Sequence, residues 1–535
     1  MRRGRPYKDQ DGSQGLLFVA INSDIGRQFE FIQQAWINNS QFNGLFNDKD
    51  AITAANDGEN GISIPYHPVR LRLRGIERFV TVLGGGYFFL PGMRALQFLS
   101  TDFGTINESA PVTSTNVRPG QPATAPATYL WLKIQLRLAK AVEGGVTFSG
   151  ATRFVFGLLR RYFPILKIPG AGVVVARHAD VMTVLTHDAE FKPVYLPKIA
   201  ETTGAFAVGL HVADPLYKRQ IELMHSAVRR EDPKRIRRFI RATVEELIHC
   251  SSTEGEIDAV AGLSRLANAR FVGNYFGVPG PDEATLDRWM HDIFRHIFAN
   301  IANFRCIRDQ AIASSKDMLG YVSELIQDRK QEVRAGTAED NFLNRLLAQQ
   351  AAGAEITDDE ILGIVTGTFV GTVGISKAFG QGFDELLSRE FEMYKAAEAA
   401  RSGDIALVSK YVFEALRFNP QNPVMLRLSE TGFTLGGKRI DAGSTIWAGT
   451  MSAMFDRAAV EAPNIFRTDR PDREYAHFGH GPHECFGKQM ASIIIPEIAA
   501  ALLRTRNLRR AEGSRGKLVY DGAFPQHLIL KFDPN

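Results

Sequence analysis

Cysteine is scarce in this chain: Cys250, Cys306 and Cys485 are the only three in 535 residues. They lie far apart and their number is odd, which argues against a disulfide framework and for a reducing, cytoplasmic compartment. No CxxC pair occurs, so a structural zinc site is not expected. An excess of one charge is lacking too. A net charge of +4 over this length gives no reason to expect a nucleic-acid partner. The opening "MRRGRPYKDQDGSQ" has no apolar core of a signal peptide. No stretch reads as the ~18–20 apolar residues that span a bilayer, so no transmembrane segment is expected. The best candidate, Phe154 to Gly170, is interrupted by Arg160, Arg161 and Lys167, and reads as a surface helix packing its apolar face.

The composition that remains, 44% hydrophobic and 23% charged, is globular, and the length calls for more than one domain. Residues 107–128, "NESAPVTSTNVRPGQPATAPAT", are rich in Pro, Ser, Thr and Ala and offer nothing to a core. They mark a linker, with bounds of 106–139. Before it, "GLLFVAI" (Gly15 to Ile21) reads as a buried strand, and Ile25, Phe29, Ile32 and Trp36 recur at helical spacing. "RFVTVLGGGYFFLPGMRAL" reads as a strand, a glycine turn and a second apolar element. Residues 1–105 thus form a short α+β segment.

That segment resembles the C-terminal end of dye-decolourising heme peroxidases, through "RRGRPY", "GLLFVAINSDIGRQFEFIQQAWINN" and "GGGYFFLPGMRAL" in that order. The resemblance implies that the family's acidic distal motif and its proximal histidine would lie upstream of Met1. Arg2 falls where the family has a distal arginine, but alone it cannot run a peroxidase cycle. A remnant with a packing role is expected.

After the linker the pattern is mostly helical with short strands. "GAGVVVARHADVMTVL" reads as a strand followed by a short helix, and "TLGGKRIDAGSTIWAG" as a hairpin with a Gly-Gly turn. "HFGHGPHECFG" (His477 to Gly487) then places Cys485 among glycines, a proline and three histidines. Glycine and proline rule out a helix or strand interior, while "KQMASIIIPEIAAALLRT" after it is apolar and helical. Cys485 therefore sits on a loop entering a helix, where unpaired backbone N–H groups stabilise a thiolate. Such a thiolate is a metal ligand or a nucleophile.

Phe478, Gly481, His483, Cys485 and Gly487 match FxxGxHxCxG, and residues 140–535 resemble the cytochrome P450 family. The resemblance implies a mainly α fold with a small β sheet, and heme b (iron protoporphyrin IX) as cofactor. Cys485 would be the axial iron ligand, an electron-donating sulfur. Phe478 would shield the sulfur, His483 would meet a propionate, and Gly481 and Gly487 would allow a tight turn close to the porphyrin. Glu414 and Arg417 in "VFEALRFNP", on their own an ordinary i,i+3 ion pair, fall where the family has its ExxR pair, with Arg470 as the third member. Arg427 falls at a propionate-binding position, and Tyr217 and Arg219 are further propionate candidates. Phe206 and Val208 are candidate pocket residues.

"TDDE" at Thr357 to Glu360 is a capping box, and the helix it opens runs on for about thirty residues, or ~45 Å. Gly363, Gly367, Gly371 and Gly374 fall on nearly one face of it, at a cost of roughly 3–4 kcal/mol against alanine. Close helix packing is one reason for such a face; room for porphyrin and substrate is the other. Oxygen-activating members of the family carry an acid and a threonine on this helix. Here Gly371, Thr372, Val373 and Gly374 line the catalytic stretch, with Val373 and Gly374 in the acid and alcohol places. Thr372 lies about 200° around the helix from Gly374, and Thr368 and Ser376 face elsewhere.

The resemblance thus implies an oxidoreductase acting on a small, apolar organic substrate. It would be a monooxygenase fed by a separate ferredoxin or reductase, or an enzyme driven by hydrogen peroxide (a peroxygenase). A heme-binding sensor or scaffold is the non-catalytic alternative.

Overall fold

The computed structural model describes residues 2–8, 14–20, 61–64, 71–74, 149–204 and 209–534, with single positions at 29, 32 and 37. It divides into two units, Met1–Pro119 and Gly120–Asn535. In the first, strand β1 (Arg2–Lys8) pairs antiparallel with β2 (Gln14–Ala20), so the expected strand near Gly15 is present, but it is not buried: Leu16 is 64% and Phe18 53% exposed. Strand β3 (Gly61–Ile64) pairs antiparallel with β4 (Leu71–Arg74). The expected helix around Ile25–Trp36, the glycine turn after Arg78 and the linker lie essentially outside the described residues.

In the second unit the helices, in chain order, are α1 (Ser149–Tyr162), α2 (His178–Thr186), α3 (Leu196–Ala200), α4 (Pro215–Ser226) and α5 (Asp232–Cys250). They continue with α6 (Leu266–Phe271), α7 (Glu283–Phe294), α8 (Arg305–Ala335), α9 (Phe342–Ala351) and α10 (Asp358–Val370). The last are α11 (Val373–Leu387), α12 (Glu390–Ser402), α13 (Ile405–Phe418), α14 (Thr450–Ala453) and α15 (Lys488–Arg504). Helices α11, α13, α15 and α5 pack on one another and share the main core. Phe271, Phe276, Phe342 and Phe369 are fully buried there, and each such side chain contributes about 1.5–3 kcal/mol of burial.

A five-stranded sheet lies in the same unit, in the order β5 (Ile165–Ile168), β6 (Gly172–Val175), β12 (Thr445–Ala448), β9 (Met425–Ser429) and β7 (Phe191–Pro193). β6 runs parallel to β12 and the other pairs are antiparallel. Strand β8 (Glu256–Asp258) stands outside this sheet, and the expected hairpin is β10 (Phe433–Leu435) with β11 (Lys438–Ile440). Gly436 and Gly437 both take positive φ, at 51° and 78°, as a two-residue turn of this kind demands.

Three expectations change. The long helix is broken: its capping box is present, but Gly371 and Thr372 separate α10 from α11. There the bonds tighten to three-residue spacing, Thr372 N–H to Phe369 O at 3.0 Å and Ile375 N–H to Thr372 O at 2.8 Å. The span Asp358–Leu387 also has the length and apolarity to cross a membrane, which the sequence reading did not register; 72% of its most apolar window is buried inside the fold. Finally, α1 does not pack its whole apolar face, since Phe154 is 68% exposed and Tyr162 61%, while Phe156 is buried.

Candidate active site

Cys485 lies three residues before α15. Its amide donates to Phe478 O at 2.9 Å and its carbonyl accepts from Lys488 N–H at 3.1 Å, which closes the loop on itself. Gly479 and Gly481 make the turn possible with φ of 80° and 77°. At Gly481 a Cβ would also sit 3.0 Å from Leu185 O, so the loop lies tight against the end of α2. Gly487 differs from expectation. Its φ is −75°, and a Cβ there would meet only the Cys485 sulfur at 3.7 Å. Gly479, which the signature leaves unspecified, carries the conformational demand instead.

The backbone amides of Gly487 and Lys488 face the sulfur and favour a thiolate, as a helix start should. Burial is the larger effect and pushes the thiol above its ordinary value. Cys485 is nevertheless exposed. The residue is thus open on one side while its thiol is largely desolvated.

The loop is clamped from two sides. On α4, Tyr217 donates its hydroxyl to Pro482 O at 2.9 Å and sets its ring edge-on to His483 at 5.6 Å, and His225 meets Phe486 at 5.3 Å. Tyr217 therefore holds the loop, its hydroxyl spent on backbone. His483 is buried against Asp188, its Nε2 bonded to Oδ1. Burial lowers the imidazole's pKa and Asp188 opposes that shift. Asp188 also accepts from Val212 N–H at 2.7 Å; nothing in the sequence marked this aspartate. Arg219 is not at the site. It reaches away to Glu360 at 3.1 Å and to the Glu355 carbonyl, half-exposed. Phe478 is partly buried against the main core, with its ring edge-on to Phe413 at 5.9 Å.

On the other side, Glu414 and Arg417 are fully buried on α13 and bonded twice, at 2.9 and 2.7 Å. Arg470 joins Glu414 at 3.0 Å and spends its other donors on Glu474 and the carbonyls of Glu461, Ala462 and Ile465. Tyr475, which the sequence reading missed, donates to Glu414 Oε2 at 3.0 Å. One carboxylate thus gathers two guanidiniums and a phenol from segments about fifty residues apart, immediately ahead of the cysteine loop.

The family model described as Cytochrome P450 matches residues 392–525. The second unit's fold is also that of solved cytochromes P450. The P450 from Chondromyces apiculatus is 20% identical, covers 72% of this chain and 96% of its own, and superposes with a TM-score of 0.59. One from Bacillus megaterium, solved with testosterone, is 19% identical over 71% of this chain and 98% of its own, with a TM-score of 0.60. Among curated relatives, cyclomarin C epoxidase of Salinispora arenicola is 22% identical over 59% of this chain and 79% of its own length. Linoleate diol synthase of Gaeumannomyces graminis is 23% identical over 64% of this chain, which spans 39% of that protein.

The chain matches the cytochrome P450 family over residues 392–525 and has that family's fold in its second unit. It is a heme-thiolate oxidoreductase, and its cofactor is heme b.

The residues of this P450 fit that group on their own evidence. Cys485 offers a thiol on an exposed loop residue at the start of a helix. Gly371 is exposed although Val370 and Thr372 beside it are buried, and a Cβ there would meet nothing but the helix's own carbonyls, at 3.2 and 3.8 Å. Arg427 on β9 is 4% exposed, bonds the Leu426 carbonyl at 3.0 Å, and has no carboxylate within salt-bridge distance among the described residues. A buried guanidinium with donors to spare suits a propionate.

Along the P450's central helix the open glycine face is narrower than expected. Gly363 is buried, and Gly374 is buried with Gln421 3.3 Å from where its Cβ would be. Thr372 donates to Phe369 O at 2.6 Å and accepts from Asn268 Nδ2 at 3.0 Å. Thr368 and Ser376 spend their hydroxyls on Ile364 O and Ser264 O. Val373 is fully buried. Phe206 and Val208 lie outside the described residues.

Proposed function

We propose that residues 140–535 oxidise a small, apolar organic substrate, by hydroxylation or rearrangement, and accept hydrogen peroxide as oxidant in preference to dioxygen. Heme b, when bound, supplies the oxygen-transfer chemistry. In this reading Cys485 holds the iron, Arg427 holds a propionate, and His483 positions the loop through Asp188. Glu414, Arg417 and Arg470 keep the loop's scaffold rigid. The first 105 residues are a peroxidase-like segment, and residues 106–139 are a linker.

One observation carries the preference for peroxide. Dioxygen chemistry requires two protons brought in from the protein, and the residues that would bring them are Val373 and Gly374, which have no proton to give. Thr372, Thr368 and Ser376 spend their hydroxyls on neighbouring carbonyls. Hydrogen peroxide carries both protons and both electrons with it, so no reductase is needed and no proton has to be brought in from outside. The test compares turnover with hydrogen peroxide against turnover with dioxygen, NAD(P)H and surrogate ferredoxin and reductase. Faster turnover with peroxide is expected. Tightly coupled dioxygen turnover with no peroxide activity would overturn the preference, and no turnover under either regime would leave a heme-binding sensor.

A further inference from the structure

Between the tip of the five-stranded sheet, α3 and the segment after α7 lies a cavity of 720 Å³, within the range of small-molecule sites. About half of its wall is apolar, with Ile168, Val194, Ile297, Phe298, Leu426 and Trp447 contributing to it. Three charged side chains line it. Lys167 and Asp441 pair with each other at 3.0 Å and are well exposed, which leaves Lys198 as the uncompensated charge.

Lys198 is half-buried on α3, with its Nζ donating to Asn300 O at 2.5 Å. An ammonium has three donors. Among the described residues the other two meet no protein acceptor. The carboxylate that acts on it, Glu201, is already divided between His296 Nε2 at 2.6 Å and Arg308 Nε at 2.8 Å. Burial brings Lys198 down to about 8, a cost that an anion beside it would offset. The inner wall includes Tyr195 and Leu426; the charge of Arg427, next along β9, acts on Tyr195. One lining residue, Leu426, is thus next in sequence to Arg427, the residue assigned to a propionate.

We propose that this cavity binds an amphipathic monocarboxylate, its apolar body against the aliphatic and aromatic wall and its carboxylate on the Lys198 ammonium. The inference rests on the reading of the domain as an oxidant of small organic substrates, and it narrows that class to acids.

The test titrates decanoate and 1-decanol into the heme-loaded full chain by calorimetry. A charge-assisted hydrogen bond predicts that the acid binds about tenfold to a hundredfold tighter than the alcohol. Lys198→Met should abolish that difference, while Lys198→Arg and Lys167→Met should keep it. Equal binding of acid and alcohol, binding of neither, or an acid preference that survives Lys198→Met would overturn the proposal. Circular dichroism of Lys198→Met checks the fold. The reduced carbon monoxide spectrum, recorded on the same samples, tests the thiolate site separately, so failure of one reading is distinguishable from failure of the other.

Discussion

At Cys485 two physical effects compete, and the larger one is easy to miss from sequence. Two backbone amides at the start of α15 favour the thiolate, but burial of the sulfur outweighs them. A metal cation reverses that balance, because a coordinated thiol is deprotonated outright. The expected outcome for Cys485→Ala is loss of the red-shifted Soret band of the reduced carbon monoxide complex. Alanine at Cys250 or Cys306, both exposed, should leave the band in place. A thiolate spectrum from Cys485→Ala would sink the ligand assignment. His477 makes a second prediction at this scale. Its Nε2 lies 3.0 Å from Phe413 O and must be the protonated nitrogen, so Nδ1 is bare and has no partner. Protonating it would bury a cation, and burial lowers its pKa to about 4. The unfolded chain, with an ordinary histidine near 6.5, binds that proton first. Stability is therefore full above pH 6.5 and falls as pH drops towards 4, by up to about 3 kcal/mol. Denaturant midpoints across this window should flatten in His477→Gln. An unchanged slope would remove His477 as the cause.

Among the elements, α13 and the loop before Cys485 act as one part because Glu414 accepts from Arg417, Arg470, Tyr475 and the Arg467 amide. Glu414→Gln would leave two buried guanidiniums short of a counter-charge, a loss of about 3–5 kcal/mol. Thermal unfolding should shift down and heme should dissociate more readily. The central helix gives the complementary prediction. Val373→Asp with Gly374→Thr should move activity from peroxide towards dioxygen. The bulk at Gly374 presses on the end of the Gln421 side chain, which can turn aside. Failure of that double variant to gain dioxygen turnover, while still folding, would separate the oxidant preference from these two positions.

What was legible follows the same division. The capping box, the Gly-Gly hairpin and the cysteine loop were legible because each is written in local residue types at fixed spacing, whereas the Glu414–Arg417–Arg470 cluster was legible only through the family resemblance. The break at Gly371–Thr372 was not, since glycine in a helical pattern signals tolerance as readily as interruption. Arg219 was misplaced because a helix position does not say which neighbour an extended side chain will reach. Asp188 and Tyr475 carried no signal at all: their partners are distant in sequence, and an aspartate or tyrosine in a loop is ordinary.

At the scale of the whole chain, one thiolate site implies about one heme per chain. Heme titration to two equivalents would reveal a second heme site away from the cysteine loop. The sheet carries a consequence of another sort, for synthesis. Trp447 Nε1 donates to Ala171 O at 2.8 Å across 276 residues, and β6 has β12 as its parallel neighbour. At ribosomal rates β6 therefore waits roughly 15–55 s for its partner to be made. During that interval the edge of β6 that later meets β12 is unpaired, with Val173 and Val175 not yet buried. Slowing elongation between residues 175 and 445 prolongs the wait, and holding the nascent chain on a chaperone until residue 448 has emerged shortens its exposure.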